Sequence, residues 1–381
     1  LAVIPRGGGT RLDYGAPPRK ADIILSLAQL SGVIEHAPHD LTVTVRAGTP
    51  LADLQRTLGA ARQWLALDPP LAPGATIGGL IATNATGPRR QRYGGVRDQI
   101  IGVRVALADG TIARGGGKVV KNVAGYDLPK LYTGALGTLG VVLSASFRLY
   151  SIPPYAGSAL VEADALEALC ALALAVMAQP VVPTILDLFP AKDRSPALLG
   201  VRFESAVDAA ISDQIGAVRQ LARAAGLEAR EARGDADAAW WAAADAWLAR
   251  LTGADGAEVV ELKASLLPSY AGAWLAALDA ARAEFAGLAD LRWRAHAGIG
   301  LVVARLAGPA DAVAGWGAAI ERMRALAVAR QGSLVVTRTP PALRGWLDPW
   351  GPANGLAIMR SLKARFDPTE TLNPGRFVGG I

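Results

Sequence analysis

Three consecutive glycines near the start of the chain are the first residues whose type and spacing could do chemistry. They lie in the run Arg6-Gly-Gly-Gly-Thr-Arg11, directly after a short apolar stretch. Glycine has no Cβ, so consecutive backbone N–H groups can converge on an anion there. The hydroxyl of Thr10 and the flanking arginines would add a hydrogen bond and positive charge. The run therefore indicates a phosphate-binding nest, and the alternative is a flexible surface turn.

Three more glycine-rich runs follow, namely PGATIGG at 73–79, ATNATG at 82–87 and YGGVRD at 93–98. The adjacent Gly78 and Gly79 would let a flat ring or a pyrophosphate lie directly on the backbone. Thr76, Thr83 and Asn84 supply hydroxyl and amide groups for ring nitrogens and carbonyls. A flavin needs this combination of close backbone approach and edge hydrogen bonds from its protein. The alternative is a structural turn that precedes a helix.

Neither of the common nucleotide-binding loops is present. The pattern GxxxxGK[ST] fails at Gly117-Lys118, because Ile112 stands where its first glycine would be and Val119 follows the lysine. The run Gly134-Ala-Leu-Gly-Thr-Leu-Gly140 has the spacing GxxGxxG instead of GxGxxG, which argues against a Rossmann fingerprint. A dinucleotide would therefore have to be bound by other loops.

The elements that must position these loops begin with strands and one clear helix. Strand-like runs rich in β-branched residues lie at 41–45, 100–107, 140–143 and 146–150. Asp109-Gly110 predicts a hairpin turn, because such turns need residues that tolerate positive φ. Thr49 is predicted to cap a helix that begins with Pro50 and ends at Gly59.

The pattern changes after Pro153-Pro154 to alanine-rich helices that alternate with short strands. Helices are predicted near 164–178, 206–225, 235–250, 270–287 and 309–330. Strands are predicted near 157–162, 183–189, 197–203, 256–263 and 299–306. This alternation indicates an α+β domain.

The composition excludes several classes of protein. Of 381 residues, 51% are hydrophobic and 19% are charged, which provides ample core material and excludes wholesale disorder. The net charge of +6 suits an anionic ligand, but basic residues are scattered among acidic ones, so no nucleic acid is expected as a partner. The single cysteine, Cys170, excludes a disulfide framework and an iron–sulfur cluster held by this chain alone.

Membrane and metal sites are not expected either. The longest uncharged run, 168–186, contains Pro180 and Pro183, so we expect a buried helix, a turn and a strand there and no transmembrane segment. The opening residues lack the pattern of a signal peptide and are typical of a strand already under way, so we expect no signal peptide in this sequence and leave open whether a segment precedes it. The three histidines lack the spacing of a metal site.

Seven motifs in a fixed order carry a resemblance to a known family. They are RGGGT, PGATIGG, ATNATG, YGGVRD, KNVAGYDLPKL at 121–131, GALGTLGVV at 134–142 and DPTETLNPGR at 367–376. In this order they resemble the vanillyl-alcohol-oxidase type (PCMH-type) FAD-binding family, and within it the FAD-binding subunits of bacterial glycolate oxidases. The resemblance is dense over 3–150 and clear over 345–381, whereas the middle of the chain is compatible in length and composition.

This resemblance implies an α+β fold in three parts. Residues 1–152 would form the PCMH-type FAD-binding domain, which has two subdomains. Residues 153–345 would form an α+β cap that serves as the substrate domain. The C-terminal tail, 346–381, would pack on the FAD domain and return to the flavin.

The same resemblance implies FAD as the cofactor and assigns residues to it. The triple-glycine loop would hold the pyrophosphate, the backbone of 140–142 would meet the adenine end, and Asn373 would stand beside the flavin ring. The full set implied for FAD is Arg6, Gly7, Gly8, Gly9, Thr10, Pro73, Gly74, Ala75, Thr76, Gly78, Gly79, Thr83, Asn84, Gly87, Gly94, Gly140, Val141, Val142 and Asn373.

Two consequences of this assignment concern how the cofactor is held. A Cβ at Gly7, Gly8, Gly78 or Gly79 would occupy cofactor space, so bulky replacements should not be tolerated. Some relatives attach FAD through a histidine near the first glycine loop. No histidine lies between residues 4 and 13 here, so the FAD is expected to be non-covalent.

Two departures from the family's pattern bear on catalysis. Relatives that oxidise 2-hydroxy acids typically carry HxGDGNxH, which binds metal and substrate, whereas this chain has Arg294-Ala-His-Ala-Gly-Ile-Gly300 with a single histidine. They also carry Gly-Ser-Glu-Gly where this chain has Gly134-Ala-Leu-Gly137. His296 as a base and Arg294 as a carboxylate clamp are the catalytic candidates, and the alternative is that the lone histidine is structural. Further candidate clamps are Arg305, Arg338 and Arg376.

The resemblance predicts one subunit of a multi-subunit glycolate oxidase. Glycolate, a small 2-hydroxy acid, would be oxidised to glyoxylate as a base removes the hydroxyl proton and hydride passes to the flavin. A second flavoprotein subunit would supply the missing catalytic residues, and an iron–sulfur subunit would take the electrons. We expect a cytoplasmic protein that partner subunits can hold at the inner face of the membrane. Two alternatives stay open: a stand-alone FAD-dependent dehydrogenase of a 2-hydroxy acid or sugar acid, and a non-catalytic FAD-binding scaffold subunit.

Overall fold

The computed structural model describes residues 1–69, 74–118, 125–190, 197–249 and 257–381 of the chain. Within them the chain forms two compact units, one of Leu1–Ile152 with Pro352–Ile381 and the other of Pro153–Gly351. Both units combine helices with sheets that consist mainly of antiparallel strand pairs, which confirms the predicted α+β class.

The first unit contains short strands and helices up to residue 152. The strands are β1 Val3–Arg6, β2 Ile23–Ser26, β3 Val33–Ala37, β4 Thr42–Arg46, β5 Gln63–Trp64, β6 Ile100–Ala106, β7 Ile112–Gly116, β8 Val141–Arg148 and β9 Tyr150–Ser151. The helices are α1 Leu51–Gly59, α2 Ile77–Thr83, α3 Arg90–Tyr93, α4 Val96–Gln99 and α5 Leu128–Tyr132. Strands β3, β4, β8, β6 and β7 form an antiparallel sheet in that order, while β1 and β2 form a separate parallel pair.

Alternation along the strands builds the core of the first unit. Successive strand residues point to opposite faces, so Val43 and Val45 of β4 reach the same core. Leu54 and Leu58 of α1 and Phe147 of β8 complete that core, and each of these side chains is almost wholly buried. The sheet and α1 thereby form a rigid base for the glycine loops.

Two local predictions concern turns and caps. Asp109-Gly110 connects β6 to β7, and Gly110 has a φ of +85°, which confirms the predicted hairpin turn. Thr49 does not cap α1, whose N-cap residue is Pro50. The Thr49 hydroxyl instead accepts a hydrogen bond of 2.9 Å from the backbone N–H of Gly32. The cap prediction was wrong because a contact distant in sequence engages this hydroxyl.

The second unit is built on one eight-stranded antiparallel sheet. Its strands are β10 Tyr155–Ala163, β11 Ile185–Phe189, β12 Ala197–Ser205, β13 Ala229–Arg233, β14 Glu258–Ser265, β15 Asp290–His296, β16 Leu301–Gly308 and β17 Ser333–Arg338. They lie in the order β13-β10-β12-β11-β15-β16-β14-β17. The helices are α6 Leu166–Met177, α7 Asp208–Ala224, α8 Gly234–Ala249, α9 Pro268–Ala280, α10 Ala310–Val313 and α11 Gly317–Val328.

The two faces of this sheet differ in chemistry. Leu186 and Leu188 of β11 pack into the main core with α6, α7, α9 and α11, whereas Asp187 and Phe189 point to the opposite face. Helix α8 covers part of that opposite face through Trp241. The second face therefore has buried charged groups among aromatic side chains.

Strands β13, β15 and β17 were not predicted. The other strands and helices of this unit lie within a few residues of their predicted bounds, with two exceptions. Helix α9 ends at Ala280 and not near 287, and the single helix predicted at 309–330 is divided into α10 and α11. The unit also extends to Gly351, past the predicted boundary at 345, because the Arg324 guanidinium donates to the carbonyls of Leu334 (3.1 Å) and Asp348 (2.7 Å).

The cysteine of the chain lies between two helices of this unit. Cys170 of α6 is partly buried against α9, where a Cβ on Gly272 would lie only 2.8 Å from its Sγ. Burial, aided by the negative charge of Glu167, raises the pKa of this thiol to about 11. The group is therefore a neutral packing residue at ordinary pH.

The chain finally returns to the first unit through α12, Leu356–Phe366. The tail joins the β1–β2 pair: the N–H of Val3 donates to the carbonyl of Thr371 (2.7 Å), and the N–H of Asn373 donates to the carbonyl of Val3 (3.0 Å). Among the helices that the described residues form, none has the length and apolar character that crossing a membrane requires.

A buried lysine fastens this tail. The Lys363 ammonium of α12 donates to the carbonyls of Thr138 and Leu372, each at 2.9 Å, and to the Asp367 carboxylate at 2.6 Å. The Asp367 carboxylate in turn accepts from the backbone N–H groups of Thr371 and Leu372. Both charged groups are buried, so each depends on the other for its partners.

We predict that Lys363→Met lowers the free energy of unfolding by about 3–5 kcal/mol, because it leaves the Asp367 charge buried without its counter-ion. Chemical denaturation followed by circular dichroism would measure it. Lys130→Met is the matched control, since the exposed Lys130–Asp127 ion pair should contribute at most about 1 kcal/mol. Equal small losses in both variants would contradict this account of the tail.

Candidate cofactor and catalytic sites

The first unit contains a cleft with two adjoining compartments. The lining residues that both compartments share are Pro5, Gly7, Gly79, Ala82, Leu136 and Asn373. The compartments are therefore continuous and suit one extended ligand.

The first compartment is lined by the triple-glycine loop that follows β1. Among the described residues, the backbone N–H groups of Gly7, Gly8, Gly9 and Thr10 have no acceptor. The Arg376 guanidinium holds the next part of the loop, because it donates to the carbonyls of Arg11, Leu12 and Tyr14 at 2.8–3.1 Å. The loop thus combines fixed carbonyls with free N–H donors, which is the chemistry of an anion nest.

The glycines of this loop allow close contact with the segment before α2. A Cβ on Gly7 would lie 2.1 Å from Thr76 Oγ1, and one on Gly8 would lie 1.7 Å from the carbonyl oxygen of Gly74. A Cβ on Gly78 would lie 3.0 Å from Ala47 Cβ. Larger residues at these three positions would collide with the protein itself. The sequence instead predicted that they would collide with the cofactor.

Gly79 differs from the other three. It lines both compartments, and a Cβ there would approach only Thr76 Oγ1, at an ordinary 3.4 Å. The N–H of Gly79 donates to Thr76 Oγ1, and its carbonyl accepts from Thr83 Oγ1 at 2.7 Å. These bonds fix the wall of the cleft, so the two threonine hydroxyls stabilise α2 while their side chains line the first compartment.

The second compartment lies beside the start of β8, where Gly140, Val141 and Val142 line it. Asn373 reaches it from the tail with a φ of +44°. The Asn373 Nδ2 donates to the carbonyl of Leu136 at 2.6 Å, while its Oδ1 is buried with no partner among the described residues. A buried acceptor without a donor is costly, so this oxygen suits a ligand that brings an N–H or O–H group.

Most residues that the sequence implied for the cofactor line this cleft. They are Arg6, Gly7, Gly8, Gly9, Thr10, Ala75, Thr76, Gly78, Gly79, Thr83, Gly140, Val141, Val142 and Asn373. Not among the lining residues are Gly74, Asn84, Gly87 and Gly94. Pro73 lies outside the described residues.

The four residues away from the lining have identifiable roles in the fold. The carbonyl of Gly74 meets Gly8, and Asn84 ends α2 in the left-handed conformation. A Cβ on Gly87 would lie 1.9 Å from the carbonyl oxygen of Asp68, so glycine allows a close backbone approach there. Gly94 has a φ of +74° that favours glycine.

Sequence reasoning expected Arg11 and Ala82 near the cofactor but missed the rest of the lining, namely Pro5, Leu12, Leu27, Leu80, Tyr132, Ala135, Leu136, Gly137 and Arg376. Most of these residues are apolar and could not be distinguished from core residues in the sequence. Arg376 stands in the DPTETLNPGR motif, and that proximity to Asn373 was the available signal.

A buried charged cluster in the second unit contains both catalytic candidates. The Asp187 carboxylate accepts from His296 Nδ1 (2.7 Å) and from Arg294 Nε (2.5 Å). The Arg294 guanidinium also pairs with Asp245, and its Nη2 is buried without a partner among the described residues. The ring of Phe189 lies against the same guanidinium at 5.2 Å. The three central groups are almost wholly buried.

Electrostatics within this cluster favour the charged pair. Burial alone would raise the pKa of Asp187, but the nearby His296 and Arg294 outweigh it and hold that pKa below its ordinary value. Burial alone would lower the pKa of Arg294, but Asp187 and Asp245 reverse this and raise it. Asp187 thus carries a negative charge that fixes one nitrogen of the histidine ring.

The other candidate carboxylate clamps also have protein partners. Arg305 pairs with Glu261 at 2.7 Å, and Arg376 is engaged by the carbonyls of the first loop. Arg338 makes at least one polar or electrostatic contact as well. Among the described residues, no three histidine, cysteine or carboxylate side chains gather as a metal ion would require.

Comparison with known protein families finds two matches along the chain. Residues 1–116 match the family described as FAD binding domain, and residues 156–377 match the family described as FAD linked oxidases, C-terminal domain. Together these matches cover the chain except for residues 117–155 and 378–381.

Curated relatives with similar sequences include three oxidoreductases. Glycolate oxidase subunit GlcE of Escherichia coli is 42% identical over 123 residues, which cover 32% of this chain and 35% of that protein. Subunit GlcD of Bacillus subtilis is 34% identical over 187 residues, 49% of this chain and 40% of that protein. The D-lactate dehydrogenase of Archaeoglobus fulgidus is 40% identical over 151 residues, 39% of this chain and 33% of that protein. The chain thus spans well under half the length of these relatives.

Among solved structures, the fold is similar to that of an alkyldihydroxyacetonephosphate synthase, with a TM-score of 0.70. The similarity covers 98% of this chain and 71% of that chain at 17% sequence identity. At this identity the likeness concerns the fold alone.

The cleft fits the FAD that the matched families imply. In its first compartment, four backbone N–H groups have no acceptor among the described residues, as a pyrophosphate needs. Its second compartment has the unpartnered Oδ1 of Asn373 for a donor on the cofactor. Residues from β1, α2, β8 and the tail together provide these groups.

We predict that Gly79→Ala and Gly8→Ala have different effects. The Cβ of Gly79→Ala would enter the cleft without a collision, so FAD affinity should fall at least about tenfold while the stability of the FAD-free protein changes by no more than about 1 kcal/mol. Gly8→Ala should lower both the affinity for FAD and the stability of the FAD-free protein. Isothermal titration with FAD and denaturation of the FAD-free protein would measure them, and equal destabilisation by both replacements would contradict the prediction.

A second prediction concerns acid stability. Because the pKa of Asp187 is lower in the folded protein, its stabilisation is complete above the ordinary value of 3.8 and is lost as the pH falls through the folded value. Asp187→Asn should therefore cost about 3–5 kcal/mol at pH 7 and progressively less below about pH 4. Asp279→Asn, which breaks an exposed pair with Arg282, should differ little from wild type at any pH. A constant cost of Asp187→Asn across this range would contradict the charge assignment.

Proposed function

The chain belongs to the FAD linked oxidases, and on that premise we propose that it is the FAD-binding subunit of a multi-subunit oxidoreductase that oxidises glycolate to glyoxylate. The observation that carries this proposal is the continuous cleft of the first unit. At one end it has N–H donors, and beside β8 an acceptor, that have no partner in the described part of the chain. The similarity to glycolate oxidase subunits supports the choice of substrate.

The chain's own residues would hold FAD by hydrogen bonds and backbone contact. The pyrophosphate would lie on the N–H groups of the triple-glycine loop, with the exposed Arg6 side chain adding positive charge. Asn373 Oδ1 would accept a hydrogen bond from the cofactor, and Gly79 would give it a wall without a side chain. Bound FAD would supply the acceptor for the hydride that leaves the substrate.

We expect this FAD to be non-covalent. The histidine that attaches FAD in some relatives has no counterpart in the first loop. No histidine or cysteine is among the residues that line the two compartments in the described part of the chain. The cofactor would then depend on non-covalent contacts alone and should leave when the protein unfolds.

The substrate class follows from the relatives' names. Glycolate, D-lactate and D-2-hydroxyglutarate share a hydroxyl group next to a carboxylate. Oxidation of such a group requires a base for the hydroxyl proton and a cation for the carboxylate. Glycolate is preferred because subunit GlcE of Escherichia coli matches this chain at 42% identity.

A partner subunit would provide the carboxylate clamp. The guanidinium groups of Arg294, Arg305 and Arg376 already bind carboxylates or carbonyls of this chain. Freeing Arg294 would leave the buried Asp187 charge with one partner fewer, at a cost of several kcal/mol. We therefore infer that a second flavoprotein subunit contributes catalytic residues. A cysteine-rich iron–sulfur subunit would then receive the electrons.

The Asp187–His296 contact supports a second candidate function, that of a stand-alone 2-hydroxy-acid dehydrogenase. A carboxylate on Nδ1 keeps the proton on that nitrogen, so Nε2 would be the atom that takes the hydroxyl proton. In this case the unpartnered Nη2 of Arg294 would be the cationic group available for a substrate.

We predict that the purified chain binds about one FAD, that acid precipitation releases it, and that glycolate alone does not bleach its absorbance. Bleaching should begin when the chain is combined with subunits co-purified from its native host. A protein that stays colourless with added FAD would overturn the cofactor assignment. Glycolate oxidation by the lone chain that is lost in His296→Asn would establish the stand-alone enzyme instead. Absorbance unchanged in the complete complex would indicate a scaffold subunit.

A further inference from the structure

The buried tyrosine at the end of α5 has a hydroxyl without a partner. Tyr132 is 2% exposed and lines the second compartment, and its Oη has no hydrogen-bond partner among the described residues. A buried tyrosine normally finds a partner for this group, because an unmade hydrogen bond is costly. Burial also raises the pKa of Tyr132, so the hydroxyl keeps its proton and can donate it in a hydrogen bond.

The ring of Tyr132 is held by packing. Phe366 of α12 makes an edge-to-face contact with it, with 6.1 Å between ring centroids. On the other side, a Cβ on Gly140 would lie 3.2 Å from the Tyr132 ring and 2.3 Å from Val105 Cγ1. Glycine at 140 therefore leaves the space that the tyrosine ring needs beside β8. The ring position is fixed before any ligand enters.

The second compartment is otherwise apolar. Tyr132 and Asn373 have the only polar side chains among its lining residues in the described part of the chain, and none of these residues is charged. Its walls include Leu27, Val141 and Val142. Such walls with two neutral hydrogen-bonding groups suit a flat uncharged heterocycle better than a phosphate.

Burial indicates which end of the cofactor lies there. Gly78, Gly140 and Val142 of the second compartment are buried, whereas Arg6 and Gly8 of the first are exposed. The flavin must meet a substrate, but the adenine takes no part in the reaction and can be enclosed. The second compartment therefore suits the adenine.

We infer that Tyr132 is a binding residue for the adenine end of FAD, with its hydroxyl hydrogen-bonded to the purine and Asn373 Oδ1 as the second polar contact. Asn373 would then stand at the adenine and not beside the flavin ring, where the resemblance to the family had put it. This inference rests on the proposed function, because it requires FAD in the cleft. It adds a residue that lies in none of the glycine motifs. It also implies that the chain binds fragments of the cofactor that contain ADP, and that uncharged side chains recognise the adenine of these fragments.

Tyr132→Phe tests this inference because it removes only the unpartnered oxygen. The FAD-free variant should be as stable as wild type or more stable, since the hydroxyl makes no hydrogen bond before the ligand binds. Its affinity for FAD and for ADP should fall about fivefold, as expected for one neutral hydrogen bond. Its affinity for FMN, which has no adenine, should not change. Isothermal titration and thermal denaturation would give these values.

Tyr93→Phe is the matched control, because Tyr93 is a buried tyrosine of the same unit that lines neither compartment. It should leave the affinities for FAD and ADP unchanged. A destabilised FAD-free Tyr132→Phe with unaltered FAD affinity would overturn the inference and indicate a structural hydroxyl. Equal losses for FMN and ADP would also overturn it, because they would exclude a role specific to adenine.

The wild-type protein offers a measurement that does not depend on the variant. ADP should bind more tightly than uridine diphosphate, because the compartment accommodates a purine, and equal affinities would contradict the inference. If wild type binds neither FAD nor ADP, the proposed function itself fails. If wild type binds FAD and only the Tyr132→Phe effect is missing, this inference alone fails.

Discussion

The candidate site depends on a contact between two stretches of backbone that have no side chains between them. Gly8 meets the carbonyl of Gly74 so closely that a single Cβ would lie 1.7 Å from its oxygen. Van der Waals contact requires far more room, so only glycine lets the loop after β1 lie against the segment that leads into α2. The cleft between β1, α2 and β8 exists because this contact fixes the loop, and the Arg376 and Lys363 side chains then hold the tail around it. The glycine runs therefore determine both the shape of the cleft and the N–H groups that it offers.

The sequence predicted the parts of this arrangement that depend on local backbone chemistry. The triple-glycine loop and Gly78-Gly79 could be found because glycine clusters with unusual conformational freedom are rare enough to be noticed, whereas Asn373 was named only through the resemblance of the DPTETLNPGR motif to the family. The lining role of Tyr132 could not be predicted, since a tyrosine after Leu131 at the end of a short helix resembles any core aromatic. The same holds for Lys363, whose partners Thr138 and Leu372 are set by tertiary packing and not by sequence spacing.

In the second unit, strand β15 was not predicted although apolar and charged residues alternate along it. Leu291, Trp293 and Ala295 face the main core, while Arg292, Arg294 and His296 point to the opposite face. A strand with charged residues on one face is normally predicted to be half exposed, and here that face is buried under α8. The charges tolerate burial because each has an opposite charge nearby, with Asp187 placed between Arg294 and His296. Sequence reasoning found two members of the cluster but not Asp187, which lies 107 positions from Arg294.

The rate at which the Cys170 thiol is chemically modified can report on motions of the second unit. A neutral thiol packed between α6 and α9 reacts slowly with alkylating reagents, because the reactive thiolate is scarce at ordinary pH and access is restricted. Since the chain contains one cysteine, every modification event reports that position alone. The rate at which α6 and α9 separate can thus be followed by mass spectrometry under native conditions. Repeating that measurement with FAD or a partner subunit bound would show whether the binding changes the rate at which α6 and α9 separate.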